Sequence, residues 1–386
     1  MQVPEAMTTA VFHLCSDFAK QGLYAELLRS IAGTGMSQFM YVPTRTAAEL
    51  DVGRISDDPS IQFRFQHILR PRHKLLFRTK VRRVLADVLS NTPVAQFRLV
   101  HAHFLYSDGA VARGIQQALG LPYVVAVRNT DVNAFMRYRP DLAAIRNDVL
   151  RHASRIVFLS PAYREAFIER LPASLRQVVM PKAMVVPNGI GSDWLDEAPA
   201  AADRAPAPLR LLYVGDFTPN KNVSGIVAAL RMLRDDCEAT LTVVGGGSDA
   251  KGTVQQLLDR SALSGVAFLG RIQDRERLKS LYGEHDILVM PSFHETFGLA
   301  YIEALSQGMP IVHSRGQGVD GYFAPGTVAS AVDPADPRSI AAGIRELASR
   351  LPGIRAACRR DARRFSWGQI GQTYRDTYRA IAGDAT

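Results

Sequence analysis

Two glutamates eight residues apart, Glu295 and Glu303, stand in the part of the chain richest in residues that can do chemistry. The apolar run 287–290 is predicted to be a strand; Glu295 lies in the loop after it, and Glu303 lies in a helix expected to begin near Phe297 or Gly298. Gly298 lets a ligand approach the backbone, and the N–H groups of a first helical turn can hold phosphate. Because Glu303 lies about one and a half turns into the helix, the two carboxylates need not share one environment. One can bind a sugar and the other a ribose.

Lys221, after the predicted strand 209–214, is the second residue suited to phosphate. The sequence contains no Asp-x-Asp, so the usual carboxylate bridge to a metal-bound diphosphate is missing and no metal is expected. Without a metal, the charge of a bound diphosphate would have to be met by Lys221 and by the helix start at Gly298. The alternatives are an exposed helix-start lysine and, for the glutamate pair, solvated carboxylates.

Other candidates also follow predicted strands. Gly245 opens a triple glycine that permits either a tight turn or close contact with a nucleotide, and Arg271 is either a ligand contact or a surface residue. His101 and His103 end a strand, but no third metal ligand is near in sequence, which favours structural histidines.

Arg128 and Asp131 follow the next strand along the chain. Arg128 stays protonated and therefore cannot act as a catalytic base. Arg128 can instead stabilise phosphate charge or bind an anionic sugar or acceptor.

The elements that position these residues alternate between short apolar strands and longer helical stretches, which predicts two doubly wound α/β domains with parallel sheets. We expect an N-terminal domain over 1–195, a linker over 196–208, a second domain over 209–365 and a final helix over 366–386. Ligands of such sheets collect at the carboxyl ends of strands, and with two sheets we expect the site in a cleft between them. The predicted strands are 9–14, 38–42, 98–101, 122–127, 155–159, 183–186, 209–214, 240–244, 266–269, 286–290, 309–313 and 328–332.

The composition is that of a globular protein, with 386 residues, of which 47% are hydrophobic and 22% charged. The three cysteines lack Cys-x-x-Cys spacing, which excludes a disulfide framework and a structural zinc site. The first residues show neither a basic n-region nor a long apolar run. We therefore expect a cytoplasmic protein.

The net charge of +9 is concentrated in residues 1–200, which hold 24 Lys and Arg against 17 Asp and Glu. Nine cations fall between Arg54 and Arg83, interleaved from Arg70 onward with apolar residues at helical spacing. This cationic segment indicates either contact with an anionic membrane or a solvated helix. Nucleic acid is not expected as a partner, because no aromatic platform accompanies the charge.

The run 291–310 resembles the Glu-x7-Glu signature of retaining GT-B glycosyltransferases, in particular glycosyltransferase family 4. The resemblance implies two Rossmann-like domains facing across a cleft, with the last helix crossing back to the first domain. It implies that Glu295 faces the donor sugar and that Glu303 binds ribose. The amides between them, at Phe297, Gly298 and Leu299, would contact the diphosphate.

Further positions match or depart from the family pattern. Lys221 matches the lysine on the donor's β-phosphate, but Asp216 stands where an arginine is common, and a carboxylate cannot neutralise phosphate. Arg271 matches a loop near the nucleobase. A glycine pair beneath the donor is represented by Gly22 alone.

In the first domain, His103 belongs to a His-x-His stretch like the family's. Arg128 replaces a histidine near the reacting sugar, whereas Asp131 is retained. The resemblance thus implies catalytic roles for Glu295, Lys221 and Arg128, and acceptor-side or sugar-side roles for His103 and Asp131.

The activity implied is retaining hexosyl transfer from a UDP- or GDP-sugar, without another cofactor, to a hydroxyl of a glycan or lipid-linked acceptor. Cell-surface polysaccharide or glycolipid synthesis is the expected setting, at the cytoplasmic face of the membrane. The alternative is a catalytically silent sensor or scaffold that binds nucleotide sugars. The departures at Asp216 and Arg128 motivate that alternative.

Overall fold

The computed structural model describes residues 9–18, 22–32, 36–46, 58–196, 208–233, 237–246 and 265–383, which form two compact units. The first unit contains the described residues up to Leu159, Arg164–Gly189 and the chain from Trp367 onward. The second contains Ser160–Tyr163 and Ile190–Ser366. Most of the predicted linker, residues 197–207, lies outside the described residues.

The first unit is built on a seven-stranded parallel sheet in the order β3-β2-β1-β4-β5-β6-β7. Every residue of β1 and β4 is buried, because helices cover both faces of the sheet. Its strands are β1 Ala10–Leu14, β2 Ser37–Thr44, β3 Ile61–His67, β4 Leu99–Ala102, β5 Tyr123–Ala126, β6 Arg155–Phe158 and β7 Ala183–Val185. The helices are α1 Leu23–Ala32, α2 Phe77–Asn91, α3 Ser107–Leu119, α4 Ala143–His152, α5 Pro161–Glu169, which begins in the second unit, and α6 Ala173–Val179.

The second unit has a six-stranded parallel sheet in the order β10-β9-β8-β11-β12-β13. Its strands are β8 Leu209–Val214, β9 Ala239–Val244, β10 Val266–Gly270, β11 Ile287–Met290, β12 Ile311–Ser314 and β13 Ala329–Val332. Its helices are α7 Ser192–Leu195, α8 Val223–Leu233, α9 Arg275–Glu284, α10 Leu299–Ser306, α11 Pro337–Ala348 and α12 Leu351–Ala362. The last helix of the chain, α13 Trp367–Ala382, belongs to the first unit.

The α/β class with parallel sheets is therefore confirmed, and all twelve predicted strands are present with ends shifted by at most two residues. Strand β3 was missed. Its sequence mixes Phe63 and Phe65 with Gln and Arg, and it lies at the sheet edge, just before the helical spacing predicted from Arg70 onward.

The helical spacing predicted from Arg70 onward is wrong before residue 77. Pro71–Lys74 form a 3-10 turn, and α2 begins only at Phe77. Leu75 and Leu76, expected on an apolar helix face, are 82% and 51% exposed. Across the described residues, no helix combines the length and apolar character needed to cross a membrane.

Each sheet has one point where the strand order reverses, between β1 and β4 in the first unit and between β8 and β11 in the second. Loops leaving two adjacent strands at such a point run in opposite directions and leave room for a ligand. The segments after β8 and β11 carry Lys221 and Glu295.

Helix α13 packs against α1 through a glycine. A Cβ on Gly371 would lie 2.4 Å from the Ser30 carbonyl oxygen, a distance that real Cβ atoms do not adopt. Ile370, Tyr374 and Tyr378 then enter the core that covers β1 and β4. Gly371 therefore permits the close approach of the two helices.

Three buried imidazoles, His13 on β1, His101 on β4 and His103 just after β4, form a cluster beneath α13. His13 Nδ1 and His103 Nε2 are 3.1 Å apart, and His101 Nδ1 lies 2.6 Å from the Tyr378 hydroxyl. Burial lowers the pKa of His13 to about 3 and holds the pKa values of the other two well below their usual range. The imidazole cluster is neutral at physiological pH.

Replacing Gly371 with Ala should lower the free energy of unfolding by about 1–3 kcal/mol, because the methyl group must push α13 away from Ser30. Gly368 in the same helix is the matched control, since a Cβ there meets nothing within 4 Å. Gly368→Ala should be neutral or stabilise by up to about 1 kcal/mol. Urea denaturation measures both. Equal effects of the two substitutions would contradict the packing argument.

The imidazole cluster should make the protein lose stability as pH falls below about 6.5, because unfolded histidines take up protons that the folded ones refuse. His101→Gln should reduce that slope by about one proton, or about 1.4 kcal/mol per pH unit, between pH 6.5 and 5. Burial raises the pKa of Asp108 to about 7 and that of Asp131 to about 6, so these two carboxyl groups stabilise the fold as pH falls. Their effect is the same in the wild-type protein and in His101→Gln and does not change the difference between them. Urea denaturation across this range measures the difference; identical slopes would contradict the prediction.

Candidate functional site

An ion pair between Lys221 and Glu295 lies at the strand-order reversal of the second sheet. Lys221 ends a 3-10 turn after β8, and Glu295 lies in the loop after β11. Lys221 Nζ is 2.6 Å from Glu295 Oε2, and the two side chains are 23% and 12% exposed. The structure thus brings together the two residues predicted to bind the donor's phosphate and sugar.

Backbone hydrogen bonds fix the loop that carries Glu295. Its N–H donates to Gln317 Oε1 at 3.1 Å, and its carbonyl accepts from the N–H of Gly318 at 2.8 Å. The N–H of Thr296 donates to Glu295 Oε1 at 3.2 Å. The loop after β12 therefore holds the backbone of Glu295, and the Thr296 N–H and Lys221 hold its carboxylate.

Asn220 ties the Lys221 segment to the same loop. Its side-chain amide donates to the His294 carbonyl and accepts from the His294 N–H, both at 2.9 Å. Its own carbonyl accepts from the N–H of Phe293 at 2.8 Å. Sequence reasoning missed this residue, because an asparagine in a turn carries no signal for a partner more than seventy residues away.

Helix α10 begins beside this ion pair, at Leu299. Gly298 precedes it with φ +81°, in the left-handed region, and a Cβ at this position would lie 2.6 Å from the Tyr301 ring. Phe297 is buried. The first turn contains no acidic residue, so the partial positive charge of the helix start is not offset there. The helix start expected near Gly298 is therefore present one residue later than predicted, and its binding of an anion remains a prediction.

Glu303, in the second turn of α10, has different surroundings from Glu295. It accepts a hydrogen bond from the Tyr282 hydroxyl at 3.0 Å, and burial raises its pKa above the usual range. Tyr282 is fully buried and had not been singled out from the sequence. A hydrogen-bonded carboxyl of this kind can accept from the hydroxyls of a ribose.

The loops after β8, β9 and β10 meet at the same edge of the sheet. A Cβ on Gly245 would overlap the Gly215 carbonyl oxygen at 1.8 Å, so the close approach of these two loops requires glycine. Arg271 Nη2 donates to Asp216 Oδ1 at 2.8 Å. Gly245 therefore has a packing role in addition to its predicted donor contact.

In the first unit, Arg128 and Asp131 follow β5. The Asp131 carboxylate accepts from the N–H groups of Arg128 at 2.8 Å, Leu105 at 3.1 Å and Tyr106 at 3.2 Å. Asp131 thus positions the backbone between β4 and α3. Arg128 is buried, with its guanidinium 5.9 Å from the centre of the Tyr24 ring.

The remaining predicted residues of this unit are His103, in the imidazole cluster, and Gly22, in the turn before α1. A Cβ on Gly22 would meet nothing within 4 Å, so its position is open. The catalytic, acceptor-side and donor-side roles of Arg128, Asp131, His103 and Gly22 remain predictions.

The imidazole cluster supplies the third histidine that was not near in sequence, with all three ligand atoms within 4.8 Å of one another. The rings of His101 and His103 are stacked, however, with centroids 4.1 Å apart and planes 29° apart. Lone pairs of stacked rings point along nearly parallel lines rather than at one ion. This geometry fits structural histidines better than a metal site.

Comparison with known proteins agrees with the resemblance seen in the sequence. Residues 7–189 match the family model "Glycosyl transferase 4-like domain", and residues 196–365 match "Glycosyl transferases group 1". The chain is 27% identical over 295 residues to the glycogen synthase of Mycobacterium tuberculosis strain H37Rv, covering 73% of this chain and 68% of that protein.

A second relative is the GDP-mannose-dependent alpha-(1-6)-phosphatidylinositol dimannoside mannosyltransferase of M. tuberculosis strain H37Ra. It is 31% identical over 180 residues, 46% of this chain and 45% of that protein. The crystal structure of Anabaena Alr3699/HepE in complex with UDP superposes with a TM-score of 0.72 at 16% identity, covering 97% of this chain and all of that one. This likeness shows a shared fold.

The two family models together match all but the chain ends and a short stretch between them, and both units have the all-parallel Rossmann-like sheets of the GT-B fold. The chain therefore belongs to glycosyltransferase family 4, as a GT-B glycosyltransferase that uses a nucleotide sugar as donor.

Proposed function

We propose that the protein is a retaining hexosyltransferase that moves a sugar from a UDP- or GDP-sugar to a hydroxyl of a glycan or lipid-linked acceptor. The observation that carries this proposal is the Lys221–Glu295 ion pair beside the start of α10. Within one site, Lys221 and the helix start can bind a diphosphate, and the Glu295 carboxylate can bind a sugar. The UDP in the HepE structure and the GDP-mannose dependence of the mycobacterial relative support these two donor classes.

In the proposed reaction the acceptor oxygen attacks the anomeric carbon on the face from which the diphosphate departs. The bond from the anomeric carbon to the phosphate oxygen breaks, and the acceptor's proton passes to the departing phosphate. Lys221 and the N–H groups at the start of α10 stabilise the charge that develops on the leaving group. Glu295 accepts hydrogen bonds from sugar hydroxyls, and Glu303 binds the ribose.

Donor binding requires the ion pair to open. Lys221 must turn from a carboxylate to a phosphate, which frees Glu295 to accept from hydroxyl groups. The exchange preserves a charged partner for the lysine. The sequence offers no Asp-x-Asp for a bridging metal, so we assign the phosphate charge to these groups and to no resident cofactor.

We place the acceptor on the first unit. The buried guanidinium of Arg128 and the segment positioned by Asp131 lie after β5, at the carboxyl ends of its strands. The setting we propose is cell-surface polysaccharide or glycolipid synthesis at the cytoplasmic face of a membrane.

We also propose that the first unit contacts anionic membrane through the start of α2. Two exposed leucines, Leu75 and Leu76, directly precede that helix. Five exposed arginines surround them in sequence: Arg70, Arg72, Arg78, Arg82 and Arg83. Lys80 is excluded from this set, because it is buried and donates to the Ser107 hydroxyl at 2.9 Å.

A cavity of about 510 Å³ between α2, α3 and α4 adds to this surface. Arg78, Arg82 and Arg113 line it together with apolar side chains, including Val81 and Ile145. Asp148 pairs with Arg113 at 3.1 Å, which leaves Arg78 and Arg82 to attract an anionic headgroup. Cations near such a surface contribute about 1 kcal/mol each.

Glu295→Ala should reduce sugar transfer by at least about a hundredfold while nucleoside diphosphate binding persists, because Lys221 keeps its charge and loses its competitor. Lys221→Ala should reduce both binding and transfer. Glu276→Ala is the matched control, since Glu276 pairs with Lys279 at 2.9 Å but is 79% exposed on α9. Released nucleoside diphosphate and calorimetric binding are the readouts.

Wild-type turnover in Glu295→Ala would contradict the site assignment. Failure of the purified wild-type protein to release nucleoside diphosphate from any donor, with or without acceptor, would favour the silent sensor instead.

Co-sedimentation with vesicles should increase with their content of phosphatidylserine, and replacing both Leu75 and Leu76 with Ser should weaken it severalfold. Leu119→Ser serves as the control, since Leu119 is also exposed but ends α3. Sedimentation that is independent of anionic lipid would remove the membrane proposal.

A further inference from the structure

The departure at Asp216 leaves the proposed donor site without the second cation that the family places after β8. We propose that Arg271, held by Asp216, supplies this cation and binds the β-phosphate of the nucleoside diphosphate. Arg271 was predicted to contact the donor near its base. The inference rests on the proposed function, and it assigns Arg271 to the β-phosphate of the donor instead of to the base.

The backbone brings Arg271 to the required edge of the sheet. Arg271 follows β10, and the sheet order β10-β9-β8-β11 places it two strands away from the Lys221 segment. A Cβ on Gly246, after β9, would lie 3.6 Å from Arg271 Cβ and 3.8 Å from its Nε. The side chain therefore crosses the end of β9, over a residue without a side chain, and reaches the loop after β8.

At the end of this path the guanidinium meets the carboxylate that replaces the family's arginine. Arg271 Nη2 donates to Asp216 Oδ1 at 2.8 Å. A long side chain from β10 thus delivers a guanidinium to the place where a side chain from the β8 loop would have delivered one. Charge lost at position 216 is restored there from position 271.

The contact with Asp216 leaves room for an anion. Only Nη2 makes a hydrogen bond to another described residue, and the guanidinium carries further N–H donors on Nε and Nη1. The two side chains are 63% and 62% exposed. An ion pair so exposed is weak, whereas an arginine on phosphate forms charge-assisted hydrogen bonds in a matching planar geometry.

Asp216 therefore has two opposing effects on a diphosphate. It orients the guanidinium, and its own negative charge repels the ligand. Because the orienting contact is exposed and weak, we expect the repulsion to be the larger effect. Both proposed phosphate cations, Lys221 and Arg271, consequently have a carboxylate partner when no donor is bound.

The test measures calorimetric binding of UDP, UMP, GDP and GMP to the full chain, because only the diphosphates carry a β-phosphate. Arg271→Ala should weaken binding of the preferred diphosphate by about tenfold or more and change that of its monophosphate much less. Asp216→Asn should tighten diphosphate binding severalfold. Arg277→Ala is the matched control, since Arg277 is 50% exposed and pairs with Glu284 at 2.9 Å on α9.

An equal loss for diphosphate and monophosphate in Arg271→Ala would assign the residue to the base or ribose and overturn the inference. Unchanged diphosphate binding in that variant, or weaker binding in Asp216→Asn, would also overturn it. A wild-type protein that binds none of the four nucleotides would instead overturn the proposed function. Thermal unfolding of each variant shows that a loss of binding does not arise from a loss of fold.

Discussion

The parallel arrangement of the second sheet is the constraint on which the candidate site depends. Parallel strands direct all their carboxyl ends to one edge, and the reversal between β8 and β11 separates the loops that leave them. Lys221 and Glu295 are more than seventy residues apart in sequence, yet their side chains meet at 2.6 Å because each follows one of these two strands. Asn220 and Gln317 then fix the loops against each other. The strand order thus brings Lys221 and Glu295 together, and a few polar contacts fix their positions.

Sequence alone predicted this arrangement well where chemistry lies directly after a strand. Glu295, Gly298 and Lys221 could be found because the pattern of strand, loop and helix is local, and the structure places them together. What could not be predicted depends on contacts between distant segments. His13 joins His101 and His103 only through the neighbouring positions of β1 and β4, and Tyr282 reaches Glu303 from another helix.

The helical prediction for the residues just before α2 was wrong for a different physical reason. From Arg70 onward the arginines and leucines follow a helical period, but Arg70 precedes Pro71 and is extended, as a residue before a proline prefers to be. Pro71–Lys74 then form a 3-10 turn, so the α-helix begins only at Phe77. Asp216 illustrates a related difficulty. From the sequence alone, Asp216 replaces a cation that family members usually have at this position. The structure shows that Arg271 reaches Asp216 across β9. The charge at such a site is set by all the loops that meet at that edge of the sheet, not by one position in the sequence.

The membership of α13 in the first unit has a consequence for how the chain matures. The second unit is nearly continuous in sequence and can fold as soon as it leaves the ribosome. The first unit is synthesised earlier, but the core over β1 and β4 lacks Ile370, Tyr374 and Tyr378 until the last segment has been translated. The unit that emerges first is therefore completed last, and nascent chains expose the uncovered face of that sheet throughout synthesis of the second unit.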